Sequence, residues 1–388
     1  MTAVRIAGVG MTPFGSHPET TGRELFGEAS CVALDDAGVP CDDVDALFYG
    51  NFMGAFAEKQ NHHGPLMADA AGVTAPATRF ESACASSGVA VREAVSKIRA
   101  GQADVILVGG MERMTNLSTA STTEALATAG DELYEGRAGL TFPGAYAMMT
   151  DAYFAAHDAD RTDLAHIAVK NHANAVENEL AQYQQAIDID DVLEAPMVAD
   201  PVGLYDASPI TDGASALVLT GEDYAEANDL DASIAVTGSG QGTDSLSLQG
   251  RESLTRTPAA EQAAEDAYTD ANVGPDDIDV AEVHDCFTIA EVLAIESLGF
   301  YEPGTGYRAA RDGETTRDGD LPVNLSGGLK AKGHPVGATG AAQLVELTKL
   351  LRGEHVNSDA VADAETAVTH NAGATVASAV VHVLEVVE

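Results

Sequence analysis

Four short segments combine residue types that could do chemistry, and the first of them has small neighbours that leave room for a substrate. In Glu81-Ser82-Ala83-Cys84-Ala85-Ser86-Ser87-Gly88, a cysteine stands immediately before a helix-like stretch. A thiol there feels the positive end of the helix dipole, which predicts a pKa lowered from about 8.5 and a larger thiolate fraction. Backbone N–H groups at such a helix start can also hold an oxyanion. Asn324 to Gly340, NLSGGLKAKGHPVGATG, places His334 before a second helix. An imidazole that reaches Cys84 would take its proton, which is how a cysteine nucleophile is activated. In Val283-His284-Asp285-Cys286-Phe287-Thr288, His284 and Cys286 end an apolar strand-like run, and residues two apart on a strand point the same way. Thr369-His370-Asn371-Ala372-Gly373 ends another such run, with the Gly373 N–H available as a donor.

Each segment also has a plainer meaning. A free cysteine packs well as a small buried apolar residue, and Gly333-His334-Pro335 can be a tight turn. The four cysteines, Cys31, Cys41, Cys84 and Cys286, contain no CxxC pair, which argues against a zinc site or a dithiol redox motif. The glycines at 327, 328, 333, 337 and 340 resemble a phosphate-cradling loop but lack both GxGxxG and GxxxxGK[ST], which argues against a nucleoside triphosphate site.

The elements that must position these residues occur twice. SGVAVREAVSKIRAG, from Ser87 to Gly101, resembles TGAAQLVELTKLLRG, from Thr339 to Gly353. Both carry apolar residues at helical spacing, Val91, Ala94, Val95 and Ile98 in one and Leu344, Leu347, Leu350 and Leu351 in the other, and both stop at glycine. A short apolar strand follows each, Val105 to Val108 and Ala367 to Thr369. A second echo pairs Asp42 to Tyr49 with Asp276 to Val283, each after an alanine-rich helix. Duplicated helix and strand units predict an α/β fold of stacked layers, with loops of both halves meeting at one crevice. Between Met111 and about residue 200 lies material with no counterpart in the second half, read as an inserted lid.

The 388 residues are 45% hydrophobic, enough for two to three ordinary domains or one large core. Asp and Glu number 61 against 20 Lys and Arg, a formal charge of -41, so duplex nucleic acid would be repelled. The acidic residues are spread in small groups such as Asp35-Asp36 and Asp276-Asp277, which describes a solvated acidic surface. Charge of this size favours a protein adapted to molar salt, and only six of the 20 basic residues are lysine. The first residues carry no export signal pattern, and no window approaches the roughly 18 apolar residues of a spanning helix. The expectation is a cytoplasmic protein without membrane contact.

ESACASSG, GGMERM at 109–114, ITDGASALVL at 210–219, HDCFT, LKAKGHPVGATG and HNAG occur in thiolase order over essentially the whole chain, and RIAGVGMTPFG resembles that family's first strand. The chain resembles a thiolase. The resemblance implies a duplicated five-layered α/β/α/β/α fold with an inserted loop domain. Its parts would be 1–114 with 200–232 as the half carrying the nucleophile, 115–199 as the lid, and 233–388 as the half carrying the HDCF, GHP and HNAG loops. Many thiolases have Asn-Glu-Ala-Phe in the third loop and Cys-x-Gly in the last. Here HDCF and HNAG replace them, a pattern similar to sterol-carrier-protein-type and archaeal thiolases.

By resemblance, Cys84 is the acyl-carrying nucleophile, His334 manages its proton, and Cys286 is the second base. Amides of Cys84 and Gly373 form one oxyanion site, and His284 with His334 forms another. The substrates implied are acyl-CoA and acetyl-CoA, with acetoacetyl-CoA as the default product or reactant and longer 3-ketoacyl-CoA as the runner-up. Met148, Lys330 and Lys332 are candidates for contact with coenzyme A; no cofactor or metal is called for. The family implies a homodimer or homotetramer, and archaeal relatives suggest a small partner with a zinc ribbon and an oligonucleotide-binding fold. A ketoacyl synthase, a hydroxymethylglutaryl-CoA synthase and a non-catalytic thioester-binding scaffold or lipid carrier are the competing readings.

Overall fold

The computed structural model describes residues 2–387. Eleven strands run in chain order: β1 (Val4–Met11), β2 (Ala46–Gly50), β3 (Ala77–Phe80), β4 (Val105–Glu112), β5 (Met197–Ala199), β6 (Val202–Gly203), β7 (Gly213–Gly221), β8 (Ile234–Thr243), β9 (Val280–Val283), β10 (Thr366–Gly373) and β11 (Ser378–Val386). β5 and β6 form a separate ribbon, and the other nine form one sheet in the order β3-β2-β4-β7-β1-β8-β11-β10-β9.

The repeat read in the sequence is visible in that order. The first half contributes β3-β2-β4-β7-β1. The second contributes β8-β11-β10-β9, and a parallel bridge from Ala281 to Val323 stands where a fifth strand would lie. Within the sheet, the two halves meet at two register pairs between β1 and β8, Arg5 with Ala235 and Ile6 with Ile234.

Each half begins with a glycine-containing strand under an alanine-rich helix. The Gly22–Ala37 helix, held at its start by a Thr21 and Glu24 capping box, lies on β1. The Pro258–Ala271 helix lies on β8. A Cβ at Gly10 would stand 2.2 Å from the Ala29 carbonyl, and one at Gly240 2.0 Å from that of Ala263, so glycine is required for these close approaches.

The Ser86–Arg99 and Thr339–Leu351 helices form the centre. Their apolar faces, including Val91, Ile98, Leu344 and Leu347, share one core with the facing sides of both half-sheets, among them Ile106, Leu219, Val236 and Leu384. Burying each such side chain contributes about 1.5–3 kcal/mol. Separate cores lie outside, beneath the Gly22–Ala37 helix and beneath the Pro258–Ala271 helix. The five layers are therefore outer helices, half-sheet, central helix pair, half-sheet and outer helices.

The segment between β4 and β7 holds the helices Thr119–Ala127, Phe142–Ala156, Arg161–Ala175 and Ile189–Glu194 and the β5/β6 ribbon. The Phe142–Ala156 helix points Tyr146, Met149 and Tyr153 inward against Phe287, Ile289 and Val292 of the second half. The Arg161–Ala175 helix reaches the same half through polar groups. Lys170 pairs with Glu291 at 2.8 Å, and the Asn174 amide donates to the Asn324 carbonyl. No helix among the described residues is long and apolar enough to cross a membrane.

Candidate active site

The Ser86–Arg99 helix starts two residues after Cys84, and the turn that presents the thiol is strained. Ala83 sits at φ +49°, a region that a side chain disfavours by about 1 kcal/mol or more. Ser86 laces this turn, its hydroxyl donating to the Ala83 carbonyl at 2.6 Å and accepting from the Ser82 amide at 2.9 Å. Cys84 is left partly exposed to the cavity that it lines.

β9 ends at Val283, so His284, Asp285 and Cys286 lie just past the strand instead of at its end. Asp285 turns away from the cavity and accepts from the Leu329 amide at 2.6 Å and the Asn171 side chain at 2.7 Å. It thereby ties the HDCF loop to the GHP loop. Gly328, at φ +57°, permits this, since a Cβ there would stand 2.5 Å from the Asp285 carboxylate. The GHP loop is held from the other half as well, by the His334 amide donating to the Thr211 hydroxyl and the Gly337 amide donating to the Glu112 carboxylate.

These loops bring the reactive groups together. Ligand-type atoms of Cys84, His284 and His334 all lie within 4.8 Å of one another, which is also the spacing of three groups that could hold a metal ion. The two imidazoles meet edge to face with centroids 5.0 Å apart. The Asn371 side-chain nitrogen lies 3.1 Å from the Cys84 carbonyl and 3.2 Å from His284 Nδ1. Cys84, Cys286 and His334 line one cavity of about 320 Å³, whose walls are Phe52, Met114, Leu126, Phe142, Tyr146, Ile210, Phe287 and Val336. The insert between β4 and β7 supplies much of that apolar wall.

Electrostatics in this site differ from the expectation for a cysteine at a helix start. Burial pushes the Cys84 thiol above its ordinary range, and the nearby Cys286 adds to the rise. Burial likewise pushes Cys286 up to about 12. It lowers His334 to about 3, with Lys330 adding, and holds His284 well below its usual value, with His334 and His370 adding. At neutral pH all four groups rest uncharged. The helix dipole alone does not make a standing thiolate here.

The candidates for coenzyme A contact lie elsewhere. Lys330 and Lys332 are both 1% exposed. Lys330 donates to the Asp206 carbonyl, and Lys332 stands between Glu282 and Glu346 at 3.8 and 3.7 Å. Neither meets solvent, because a backbone carbonyl draws Lys330 inward and two carboxylates from distant segments draw Lys332. Met148 points outward at 43% exposure, and Tyr146, two residues earlier, faces the cavity. Gly373 abuts the Ser82 carbonyl, 2.6 Å from where its Cβ would be, while the amide beside the Cys84 sulfur is that of Ala374. Arg251 braces the turn, its guanidinium donating to the carbonyl and hydroxyl of Thr375 while Ala374 and Val376 sit at positive φ.

Residues 4–223 match the family described as thiolase, N-terminal domain, and residues 240–386 match the thiolase C-terminal domain-like family. The chain belongs to the thiolase family. An acetyl-CoA acetyltransferase of Methanothermobacter thermautotrophicus is 43% identical over 384 residues, covering 99% of each chain. A protein of the same name from Methanocaldococcus jannaschii is 38% identical with the same coverage. Human sterol carrier protein 2 is 30% identical over 95% of this chain and 70% of its own length. Among solved structures, an Ltp2-ChsH2(DUF35) aldolase superposes with a TM-score of 0.83 over 99% of this chain and 98% of its own, at 24% identity. The thiolase fold thus covers the whole chain, and its full-length relatives make it an acyltransferase.

Proposed function

We propose that this thiolase is an acyl-CoA C-acyltransferase that makes or cleaves 3-ketoacyl-CoA, acetoacetyl-CoA in the first instance, through an acyl group on Cys84. The observation that carries this reading is the convergence of Cys84, Cys286 and His334 on one apolar-walled cavity, with His284 beside them.

In the cleaving direction the Cys84 proton passes to His334 as the sulfur bonds to the 3-keto carbon. Backbone amides of Cys84 and of the Gly373 turn would stabilise the resulting oxyanion, a contribution of roughly 3 kcal/mol per donor. On collapse the bond between C2 and C3 breaks, and its electron pair takes the Cys286 proton at C2. His284 and His334 face the thioester oxygen on which enolate charge develops. Acetyl-CoA leaves, and the acyl group remains on Cys84. Free coenzyme A then gives its thiol proton to the Cys286 thiolate and attacks the acyl-cysteine, and Cys84 departs with the proton from His334. Condensation is the reverse. A thiol with a raised pKa suits Cys286, because it rests protonated and ready to act as the acid.

The cavity volume corresponds to about ten waters, more than an acetoacetyl group fills, which supports longer 3-ketoacyl-CoA as a second reading. Strand β3 is an edge of the sheet and offers a pairing surface for a second copy, consistent with a homodimer or homotetramer. The DUF35 component in the name of the aldolase relative supports a small partner protein for this chain too. Thiolysis of acetoacetyl-CoA by the purified protein in about 2 M KCl tests the reading. Production of acetyl-CoA is expected. A protein inactive on acetoacetyl-CoA that cleaves long-chain 3-ketoacyl-CoA would favour the second reading, and no thiolysis of either, with or without a co-purifying partner, would remove both.

A further inference from the structure

We propose that Asn371 and Thr339 are positioning residues that hold the two facing imidazoles in opposite tautomers, His284 with its proton on Nε2 and His334 with its proton on Nδ1. The proposal deepens the acyl-transfer reading and rests on it for its consequence, though not for its geometry.

The Cys84 carbonyl can only accept, so the Asn371 atom 3.1 Å from it is the amide nitrogen, which fixes the orientation of that side chain. The same nitrogen lies 3.2 Å from His284 Nδ1 and has a second hydrogen to give. Nδ1 therefore accepts. A neutral imidazole whose Nδ1 accepts carries its proton on Nε2. His284 Nε2 is buried with no partner among the described residues, a donor waiting for an acceptor.

The other ring is set the opposite way. The Thr339 hydroxyl lies 3.0 Å from the Pro335 carbonyl, one helical turn back, and 2.7 Å from His334 Nδ1. The Pro335 carbonyl also accepts from the Ala338 and Thr339 amides. Placing the single hydroxyl hydrogen on the bond back to Pro335, the usual arrangement for a helical threonine, leaves the hydroxyl oxygen to accept from Nδ1–H. The lone pair of His334 is left on Nε2. One ring can then only donate from its free nitrogen and the other can only accept.

Two consequences follow for the site. His334 is the sole imidazole able to take the Cys84 proton, whereas His284 offers a fixed N–H to developing negative charge without competing for that proton. The three groups spaced as metal ligands are also not equivalent, since His284 has Nδ1 engaged and Nε2 protonated and so has no lone pair for a cation.

The test is a solid-state nitrogen NMR spectrum of the full-length protein labelled at its histidine ring nitrogens and sedimented from about 2 M KCl. His284→Gln and His334→Gln assign the signals. Protonated Nε2 for His284 and protonated Nδ1 for His334 are expected; the same tautomer in both rings, or the reverse pair, would overturn the proposal. In kinetics, Thr339→Val is expected to slow acylation of Cys84 roughly 10- to 100-fold, with Thr339→Ser restoring it. Failure of serine to restore the rate, with both variants folded, would sink the role of Thr339. Asn371→Ala is expected to make both His284 tautomers visible in the same spectrum, and an unchanged His284 signal counts against Asn371. The expected tautomers in a protein that turns over no coenzyme A thioester would leave the lock standing and remove the acyl-transfer reading. Turnover with both rings in one tautomer would do the reverse.

Discussion

Glu112, the last residue of β4, accepts a hydrogen bond at 3.1 Å from the amide of Gly337, 225 residues further along the chain. The same buried carboxylate accepts from the amides of Phe52 and Met53 and from the Asn51 side chain, so one group of the first half holds the GHP loop of the second. Burial pushes its pKa up to about 8 although four N–H groups point at it. In Glu112→Gln the new amide hydrogens must face some of those donors. A stability loss of about 2–4 kcal/mol is expected from denaturant unfolding, with kcat falling further than the stability loss explains. Unchanged stability would show that the bridge between halves is dispensable.

Tyr146 stacks on Phe287 with centroids 4.4 Å apart, donates to the Ala374 carbonyl and stands beside Cys286. In Tyr146→Phe the ring remains and the phenol is lost. Exchange of the acetyl-CoA α-protons with deuterated solvent, the step assigned to Cys286, is expected to slow roughly tenfold or more, while acylation of Cys84 changes little. Equal losses in both steps would place Tyr146 in general packing.

The buried histidines carry a pH signature. Burial lowers His334 to about 3 and His370 and His382 to about 4, from the usual 6.5 of an exposed imidazole. Below pH 6.5 the unfolded chain binds protons that the native state refuses. Their stabilising contribution is thus complete above that pH and shrinks as the pH falls towards 4, by about 1.4 kcal/mol per histidine per pH unit. Denaturant midpoints measured in concentrated KCl between pH 7 and 5 should fall accordingly. His370, whose ring nitrogens have no partner among the described residues, offers the cleanest control. His370→Leu should reduce the slope by about one proton, and an unchanged slope would contradict the burial account.

The surface charge makes a separate prediction. With a formal charge of -41, self-repulsion is strong until salt screens it. Raising KCl from about 0.2 to 2 M is expected to raise Tm by roughly 5–10 °C, the shift of a few kcal/mol in a large domain. A flat or falling Tm would remove the adaptation to molar salt.

Much of this was legible before the fold was known. The two helix repeats are visible because each must bury an apolar stripe at the same 3.6-residue period, and the structure places them side by side in the central layer. Cys84 and His334 stand out because small residues and glycines flank them, and His284 and Cys286 because they close an apolar strand-like run two residues apart. What escaped depends on contacts between distant segments. Lys330 and Lys332 beside a glycine-rich loop look like phosphate ligands until Asp206, Glu282 and Glu346 arrive from elsewhere. The raised Cys84 pKa is of the same kind, since desolvation comes from walls supplied by other segments. Tyr146 was within reach: Tyr146, Met149 and Tyr153 fall at helical spacing on one face, and Met148 falls off it. Asn371 belongs to the HNAG motif, but its role needs the Cys84 carbonyl and His284 at the same place.

The central claim is that Cys84 carries the acyl group. Intact-protein mass spectrometry after brief incubation with acetoacetyl-CoA, using wild type, Cys84→Ala and Cys286→Ala, tests it most directly. The account predicts a gain of one acetyl group in wild type, mapped to Cys84 by peptide analysis and absent from Cys84→Ala. In Cys286→Ala it predicts the same adduct from acetyl-CoA as donor but little from acetoacetyl-CoA, whose cleavage needs the second thiol. An acetyl group still gained by Cys84→Ala, or mapped to another residue in wild type, would contradict it.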